Sequence, residues 1–321
     1  MLVILAHDPD IPTELAAGAE DGDESMERPD GGSGEEGDSG SEGSSGSEEW
    51  EGGDSEGEGE AGEAGRLHPG QGGGKQQKRA AAAVCVGVGS FSDPEDLPGL
   101  SHYLEHMLFM GSERFPEENE YDSFLQQNGG SCNAFTDMES TVYYFDVNGD
   151  RLRGAMERFA GFFTAPLCLE GSLEREVQAV DNEFSNCLQS DMARLLQLLS
   201  STAAPGHPAG KFTWGNRASL WDTPRASGIR VRERVLEHYR SLYSAERMTL
   251  VVVGGNSLDE MQAWAAELFG DTPTGRGPRP TYEAHGRPFV GGPTMFLAPS
   301  VRDRHVLEIT FPMPSLLKEY R

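Results

Sequence analysis

The sequence has few cysteines for its length, with four in 321 residues. Spacings of 47, 36 and 19 residues separate them, and no Cys-x-x-Cys pair occurs among Cys85, Cys132, Cys168 and Cys187. A thiolate metal site usually needs such close pairs, and small disulfide-stabilised secreted domains are much richer in cysteine. We therefore interpret all four as free thiols, and a reducing, cytoplasmic setting is the default expectation.

Long apolar runs and an excess of basic residues are also missing. No stretch of about 18 or more apolar residues occurs, so the sequence predicts no membrane-spanning helix. The apolar run at residues 2–6 has no basic residues before it and is too short for a secretory signal. With 53 acidic against 26 basic side chains, the formal net charge is −27. A chain of this sign repels the phosphate backbone, so we expect no nucleic-acid partner.

The acidic excess is concentrated near the N-terminus. Residues 1–66 contain 21 acidic and two basic side chains, a net charge of −19, whereas residues 67–321 have a net charge of −8. Residues 21–74 consist mainly of Gly, Ser, Glu and Asp, with Trp50 as the single aromatic residue. Such a composition buries too little apolar area to offset the entropy of ordering, so we predict a disordered acidic insert. The insert is either a solvated linker or an arm that attracts basic proteins or polyamines.

The rest of the chain alternates between helical and extended patterns. Residues 2–5 predict a short buried strand, and residues 80–90 predict a strand with Val84, Val86 and Val88 on one face. A Thr/Tyr/Phe-rich hairpin is expected at 131–147 and a further strand at 248–253. Helices are expected near 99–110, 117–128, 151–165, 172–200, 228–243 and 257–269. Because strands and helices interleave without a strict βαβ repeat, the predicted fold class is α+β.

The motif with the most chemical information lies in the first predicted helix. Its apolar residues recur at the spacing of one buried face, at Leu100, Tyr103, Leu104, Met107 and Leu108. His102 and His106 lie one turn apart away from that face, so their imidazoles can hold one metal ion between them. Glu105 lies on the flank of the same turn, placed to meet a water on the metal. This is an H-x-x-E-H motif; the alternative is a pair of surface or capping histidines.

A zinc ion that activates water usually takes three protein ligands, and an acidic helix offers the third. Glu176 and Glu183 are seven residues apart in the predicted helix 172–200, two turns along one face. Either carboxylate could reach the metal, and the other would then lie nearby as a supporting group. The alternative is a solvated acidic helix face, and the spacing alone does not choose between the two glutamates.

Several segments together resemble the M16 inverzincin zinc metallopeptidases, specifically the insulysin and nardilysin branch. The resemblance covers residues 76–321, and the Gly/Glu-rich tract before Gln76 matches the acidic insert of the nardilysin-like members. The segments that carry it are 86–91, 102–119, 129–136, 143–147, 205–208 and 211–216. It implies the LuxS/MPP-like metallopeptidase fold, in which helices pack on a mixed or antiparallel sheet.

The resemblance also implies a role for each motif residue. His102, His106 and Glu183 match the ligands of one Zn²⁺ per chain, Glu105 matches the general base, and Glu176 matches a supporting carboxylate. An edge strand that takes substrate peptide by strand addition is matched by Ser131, Asn133, Ala134 and Phe135. The function implied is a zinc metalloendopeptidase that cleaves peptides at basic or dibasic sites.

The resemblance to the family divides the chain into four segments. We expect residues 1–20 to be a strand remnant of the catalytic domain, 21–74 the insert, 75–300 the catalytic zinc domain, and 301–321 the truncated start of a second domain. Insulysin-type enzymes contain four homologous domains, so this chain would supply about one quarter of the enzyme. We therefore expect an incomplete form, whether fragment, isoform or partial gene model, with low activity alone.

Two other functions compete with this prediction. The chain could be a non-catalytic binding module whose acidic arm captures basic proteins or polyamines. It could also be a mitochondrial processing peptidase subunit, which shares the H-x-x-E-H motif, but no Arg-rich, acid-poor presequence is present. We interpret His207, Trp214 and Arg247 as packing or loop-anchoring residues.

Overall fold

A computed structural model describes residues 1–14, 78–302 and 305–313. The predicted acidic insert at 21–74 lies outside the described residues, as do residues 314–321 of the expected second domain. The strands are β1 (Leu2–His7), β2 (Arg79–Val86), β3 (Ser131–Thr136), β4 (Thr141–Asn148) and β5 (Met248–Gly254). The helices are α1 (Leu100–Leu108), α2 (Glu120–Gln127), α3 (Leu152–Thr164), α4 (Glu170–Cys187), α5 (Asp191–Ser200), α6 (Thr223–Ala226), α7 (Val231–Leu242) and α8 (Leu258–Phe269).

The five strands form one mixed sheet in the order β1-β5-β2-β4-β3. β1 runs parallel to β5, and the other neighbouring pairs are antiparallel. In the middle of the sheet Val84 lies opposite Leu250 of β5 on one side and Tyr143 of β4 on the other. Helices pack on this sheet, so the predicted α+β class is confirmed.

One face of the sheet carries the hydrophobic core. Val84, Val86 and Val88 are buried, as their alternation predicts. Aromatic side chains fill much of the space between the sheet and α3, where Phe159 contacts Phe145 and Phe163 edge to face. Burying each such side chain contributes about 2 kcal/mol relative to an exposed one. The buried side chains of α1 belong to the same hydrophobic core.

The prediction that β1 is a buried strand is wrong in one respect. Residues 2–7 do form a strand, but Leu2 is 60% exposed and Ile4 is 47% exposed. Among the described residues β1 has β5 as a neighbour on one side and no strand on the other. Leu5 packs against the core, whereas Leu2, Val3 and Ile4 remain exposed among the described residues.

The prediction of a single helix at 172–200 is also wrong, because the structure has two helices there, α4 and α5. The break falls at Leu188–Ser190, where the hydroxyl of Ser190 accepts a hydrogen bond from the backbone N–H of Ala193 and caps α5. The strong helical propensity on both sides hides this cap in the sequence. Among the described residues, no helix combines the length and apolar character needed to cross a membrane.

Candidate metal centre

A cleft of about 570 Å³ opens between α1, α4 and the edge strand β3. α1 packs its apolar face into the core and leaves His102 and His106 half-buried on the side toward α4. The cleft is lined by His102, Glu105, His106, Phe109, Met110, Cys132, Asn133, Ala134, Phe135, Thr136, Glu176, Glu183, Thr213 and Trp214. The structure therefore brings the H-x-x-E-H motif and both candidate glutamates to one place.

Two histidines and one glutamate lie at metal-binding separation. The Nε2 atom of His102 is 3.4 Å from one carboxylate oxygen of Glu183, and the Nε2 atom of His106 is 3.5 Å from the other. The candidate ligand atoms of the three residues lie within 4.8 Å of one another. Two imidazoles and a carboxylate in this arrangement are a ligand set that Zn²⁺ takes in hydrolytic sites. The three residues fit that ion.

A hydrogen bond to His102 and a carboxylate beside His106 orient the two imidazoles toward Glu183. The Nδ1 atom of His102 is 2.6 Å from the carbonyl oxygen of Trp214. Because a carbonyl only accepts, Nδ1 of His102 carries a proton, and Nε2 is the ring atom that faces Glu183. On His106, Nδ1 lies 3.6 Å from a carboxylate oxygen of Glu176. Both rings thus have an acceptor behind them, as metal-binding histidines usually do.

The electrostatics of the cluster couple these groups strongly. Burial raises the pKa of Glu183, but hydrogen bonds from His102 and His106 outweigh it and lower the pKa to about 2. Burial lowers the pKa of His106, but the carboxylates of Glu176 and Glu183 outweigh it and raise the pKa to about 9. A proton held by the His106 ring offsets part of the negative charge of these carboxylates. A divalent cation between the same atoms would perform that neutralisation instead.

Glu105 lies beside this cluster without belonging to its ligand set. Its side chain is buried, and one carboxylate oxygen accepts a hydrogen bond of 2.5 Å from the hydroxyl of Thr136. Burial raises the pKa of the Glu105 carboxyl, while the Thr136 hydroxyl and the neighbouring histidines oppose that shift. A carboxylate whose pKa is raised by burial is better suited to accept and return a proton.

The edge strand β3 is divided between the cleft and the opposite face of the sheet. Asn133, Ala134 and Phe135 line the cleft. Ser131 does not line it, and its backbone N–H and hydroxyl both donate to Asp146 of β4. The backbone N–H of Ala134 is already engaged, since it donates to the side-chain oxygen of Asn133. An added peptide strand would therefore replace that local bond.

Two residues contribute to the site in ways that the sequence analysis did not assign. Thr136 holds the carboxylate of Glu105, and Trp214 orients His102 through its backbone carbonyl. Every residue has a backbone carbonyl, so no sequence signal could have identified the role of Trp214. Thr136 directly follows the predicted substrate strand and could have been found there. Arg247 anchors a loop, as predicted, by donating to backbone carbonyls at residues 242, 277 and 278.

The site contains two imidazoles, a carboxylate between them and a buried carboxylate beside them. This arrangement is typical of metal-dependent hydrolases. Residues 74–216 match the family described as Insulinase (Peptidase family M16), and residues 230–321 match the one described as Peptidase M16 inactive domain. The chain therefore belongs to peptidase family M16. The second matched segment contains β5, which lies between β1 and β2, so both segments contribute to one sheet.

Relatives from distant organisms support the same assignment. The chain is 49% identical over 245 residues to a nardilysin-like protein of Arabidopsis thaliana, covering 76% of this chain and 24% of that protein. It is 44% identical over 247 residues to nardilysin of Homo sapiens, covering 76% and 22%. A crystal structure of pitrilysin superposes with a TM-score of 0.60 at 35% identity, over 64% of this chain and 22% of that one. The nardilysin-like resemblance is confirmed, and the chain spans about a quarter of the length of these relatives.

Proposed function

We propose that this chain carries the catalytic zinc domain of a nardilysin-like metalloendopeptidase. The observation that carries the proposal is the cluster of His102, His106 and Glu183, whose ligand atoms lie within 4.8 Å of one another beside a buried Glu105. In this proposal the three residues bind one Zn²⁺, Glu105 is the general base, and Glu176 supports His106 from behind its ring. Membership of peptidase family M16 supports a peptidase function for this site.

The chemistry follows from where the residues lie. Zinc, when bound, supplies Lewis acidity that lowers the pKa of water and polarises a carbonyl. Glu105 accepts a proton from the attacking water and later donates it to the leaving amine. Thr136 fixes one oxygen of Glu105, which leaves the other free to exchange that proton. Glu105 is 7% exposed, so little of its side chain meets bulk water.

The substrate in this proposal is an extended peptide with basic residues. β3 forms one edge of the sheet and borders the cleft, so a peptide can add to it as a further strand. Preference for dibasic sites is the expectation from the family branch.

The proposed domain division follows the sequence analysis. Residues 1–20 and 75–300 form the catalytic domain around an insert at 21–74, and residues 301–321 begin a second domain. Because the chain spans about a quarter of its relatives' length, we expect it to supply only part of a multi-domain enzyme. We expect the chain to bind zinc and to cleave peptides slowly on its own.

A second candidate function is supported by the charge of the insert. The net charge of −19 in residues 1–66 would attract basic proteins or polyamines at low ionic strength. In that case the acidic segment recruits partners whether or not the cleft is catalytic. Deletion of residues 21–74 should then weaken binding of a basic partner such as spermine, and should leave zinc stoichiometry unchanged.

Substitution of the base separates the two functions. Purified protein and its Glu105→Gln variant would be assayed for zinc content and for cleavage of a fluorogenic dibasic peptide. We expect one zinc per chain in both, slow cleavage by the parent, and a rate loss of about 100-fold or more in the variant. Glu267→Gln, on the exposed face of α8, is the matched control and should cleave normally. Equal cleavage by the parent and Glu105→Gln would contradict the catalytic role.

A further inference from the structure

A buried polar cluster lies behind the metal centre, at the start of α1. The side chain of Asp93 is fully buried. One of its carboxylate oxygens accepts from the backbone N–H of Gly99 at 2.9 Å, and the other accepts from the backbone N–H of Ser101 at 2.8 Å. The N-cap position of α1 is Gly99, which has no side chain with which to cap the helix. Asp93 therefore supplies from six residues upstream what an N-cap side chain normally provides.

The same cluster ties α1 to α7. The hydroxyl of Ser101 lies 3.1 Å from the carbonyl oxygen of Gly89 and 3.0 Å from Nε2 of His238. Because the carbonyl only accepts, Ser101 donates to Gly89 and accepts from the Nε2–H of His238. Lys211 donates to the backbone carbonyls of Phe91 and Asp93 and holds their loop in place. Among the described residues, each side chain of this cluster has a partner.

The start of α1 matters because the first metal-ligand candidate is its third residue. His102 lies in the first helical turn, whose N–H groups have no partners within the helix and which frays most readily. Gly99 has a φ of 91°, and a Cβ there would lie 2.3 Å from the Cα of Gly215. The residue before Gly215 is Trp214, whose carbonyl orients His102. A shift in this turn would therefore displace both His102 and its hydrogen-bond acceptor.

We propose that Asp93 is a positioning residue for the metal centre: by holding the first turn of α1, it fixes His102 where it meets His106 and Glu183. The proposal rests on the proposed metal-binding function and extends it to a residue outside the cleft. Burial of a carboxylate is costly, and a small apolar residue would fill the space without that cost. The two hydrogen bonds that Asp93 accepts at the start of α1 offset the cost of burying its carboxylate.

Metal affinity is the measurement that tests this role. The full chain and its Asp93→Ala and Asp93→Asn variants would be titrated with zinc against a chromophoric chelator. Their Co²⁺ forms would be compared by visible absorption, which reports ligand geometry. We expect Asp93→Ala to bind zinc about 10- to 100-fold more weakly, as loss of an orienting group behind a ligand does. Asp93→Asn keeps one acceptor and should recover part of the affinity, and both Co²⁺ spectra should change.

A control variant separates positioning from general stability. Met261→Ala removes a fully buried side chain of α8, outside the cleft. It should lower the melting temperature while leaving zinc affinity and the Co²⁺ spectrum unchanged. Wild-type affinity and spectrum in folded Asp93→Ala would overturn the proposal, as would an equal affinity loss in Met261→Ala. If Asp93→Ala does not fold, Asp93→Asn decides, and wild-type affinity there overturns the proposal. A parent chain that binds no zinc refutes the proposed function together with this extension.

Discussion

The two helices that carry the candidate ligands are held in very different ways. Seven of the nine residues of α1 are buried, against five of the eighteen in α4. The side chains of His102 and His106 are 16% and 17% exposed, whereas that of Glu183 is 46% exposed. The fold therefore fixes the imidazole pair in advance, and the carboxylate reaches it from a helix that is less constrained. A bound cation would connect a rigid element to a more adaptable one.

Removal of a ligand from each helix tests this comparison most strongly. His106→Phe keeps the ring volume but removes the ligand from the fixed side, so we expect no measurable zinc binding. Glu183→Gln leaves a neutral oxygen on the adaptable side, so we expect weakened binding that saturates at high zinc. Both losses should exceed the 10- to 100-fold effect of changing an orienting group. The measurement is a chelator competition titration.

His285→Phe is the control for these ligand variants. His285 lies outside the cleft, with its ring against His207 and Tyr282. The zinc affinity of the His285→Phe variant should equal that of the parent. Full affinity in His106→Phe would show that the ion binds elsewhere in the chain.

The buried support of α1 predicts a pH dependence of stability. Burial lowers the pKa of His238 from 6.5 to about 4, so the folded state holds this ring neutral while the unfolded chain protonates it. A depressed histidine pKa gives stability that is complete above about pH 6.5 and is lost as pH falls toward 4. From this shift, the unfolding free energy of the parent relative to that of His238→Gln should fall by roughly 3 kcal/mol between pH 6.5 and pH 4.

Denaturant unfolding of both proteins at several pH values measures this difference. Burial raises the pKa of Asp93 to about 6, which makes its own contribution fall as pH rises from 3.8 toward 6. The two contributions oppose each other in the parent, so the comparison with His238→Gln is needed to expose the histidine. A difference in unfolding free energy that does not change with pH would contradict a neutral buried imidazole.

The smallest expected effect concerns the buried carboxylate of α4. Glu176 is 9% exposed and its carboxylate lies 3.6 Å from Nδ1 of His106. Glu176→Gln retains an acceptor for that nitrogen and removes only the charge, so we expect zinc affinity to fall by about 10-fold or less. Isothermal titration with zinc checks this. An effect as large as that of Glu183→Gln would mean that the two carboxylates share the role of ligand.

The sequence was sufficient for what depends on periodicity and on motif spacing. It predicted α1, the strand carrying Val84 and the pairing of His102 with His106, because these follow from helical and extended geometry within a few residues. It could not choose between Glu176 and Glu183, because that choice depends on where α4 lies against α1. The Asp93 support was invisible for a different reason, because its partners at the start of α1 are backbone N–H groups, which no side-chain pattern reveals.

The parallel pairing of β1 with β5 has a consequence for how the chain folds during synthesis. Leu2 lies opposite Thr249 and His7 opposite Gly254, so β1 pairs with the described strand that is farthest from it along the chain. At a synthesis rate of about 5–20 residues per second, β5 is completed roughly 10 to 50 s after β1. During that interval an apolar strand of six residues is exposed beside the nascent sheet. We expect the early translation product to be the species most dependent on chaperones.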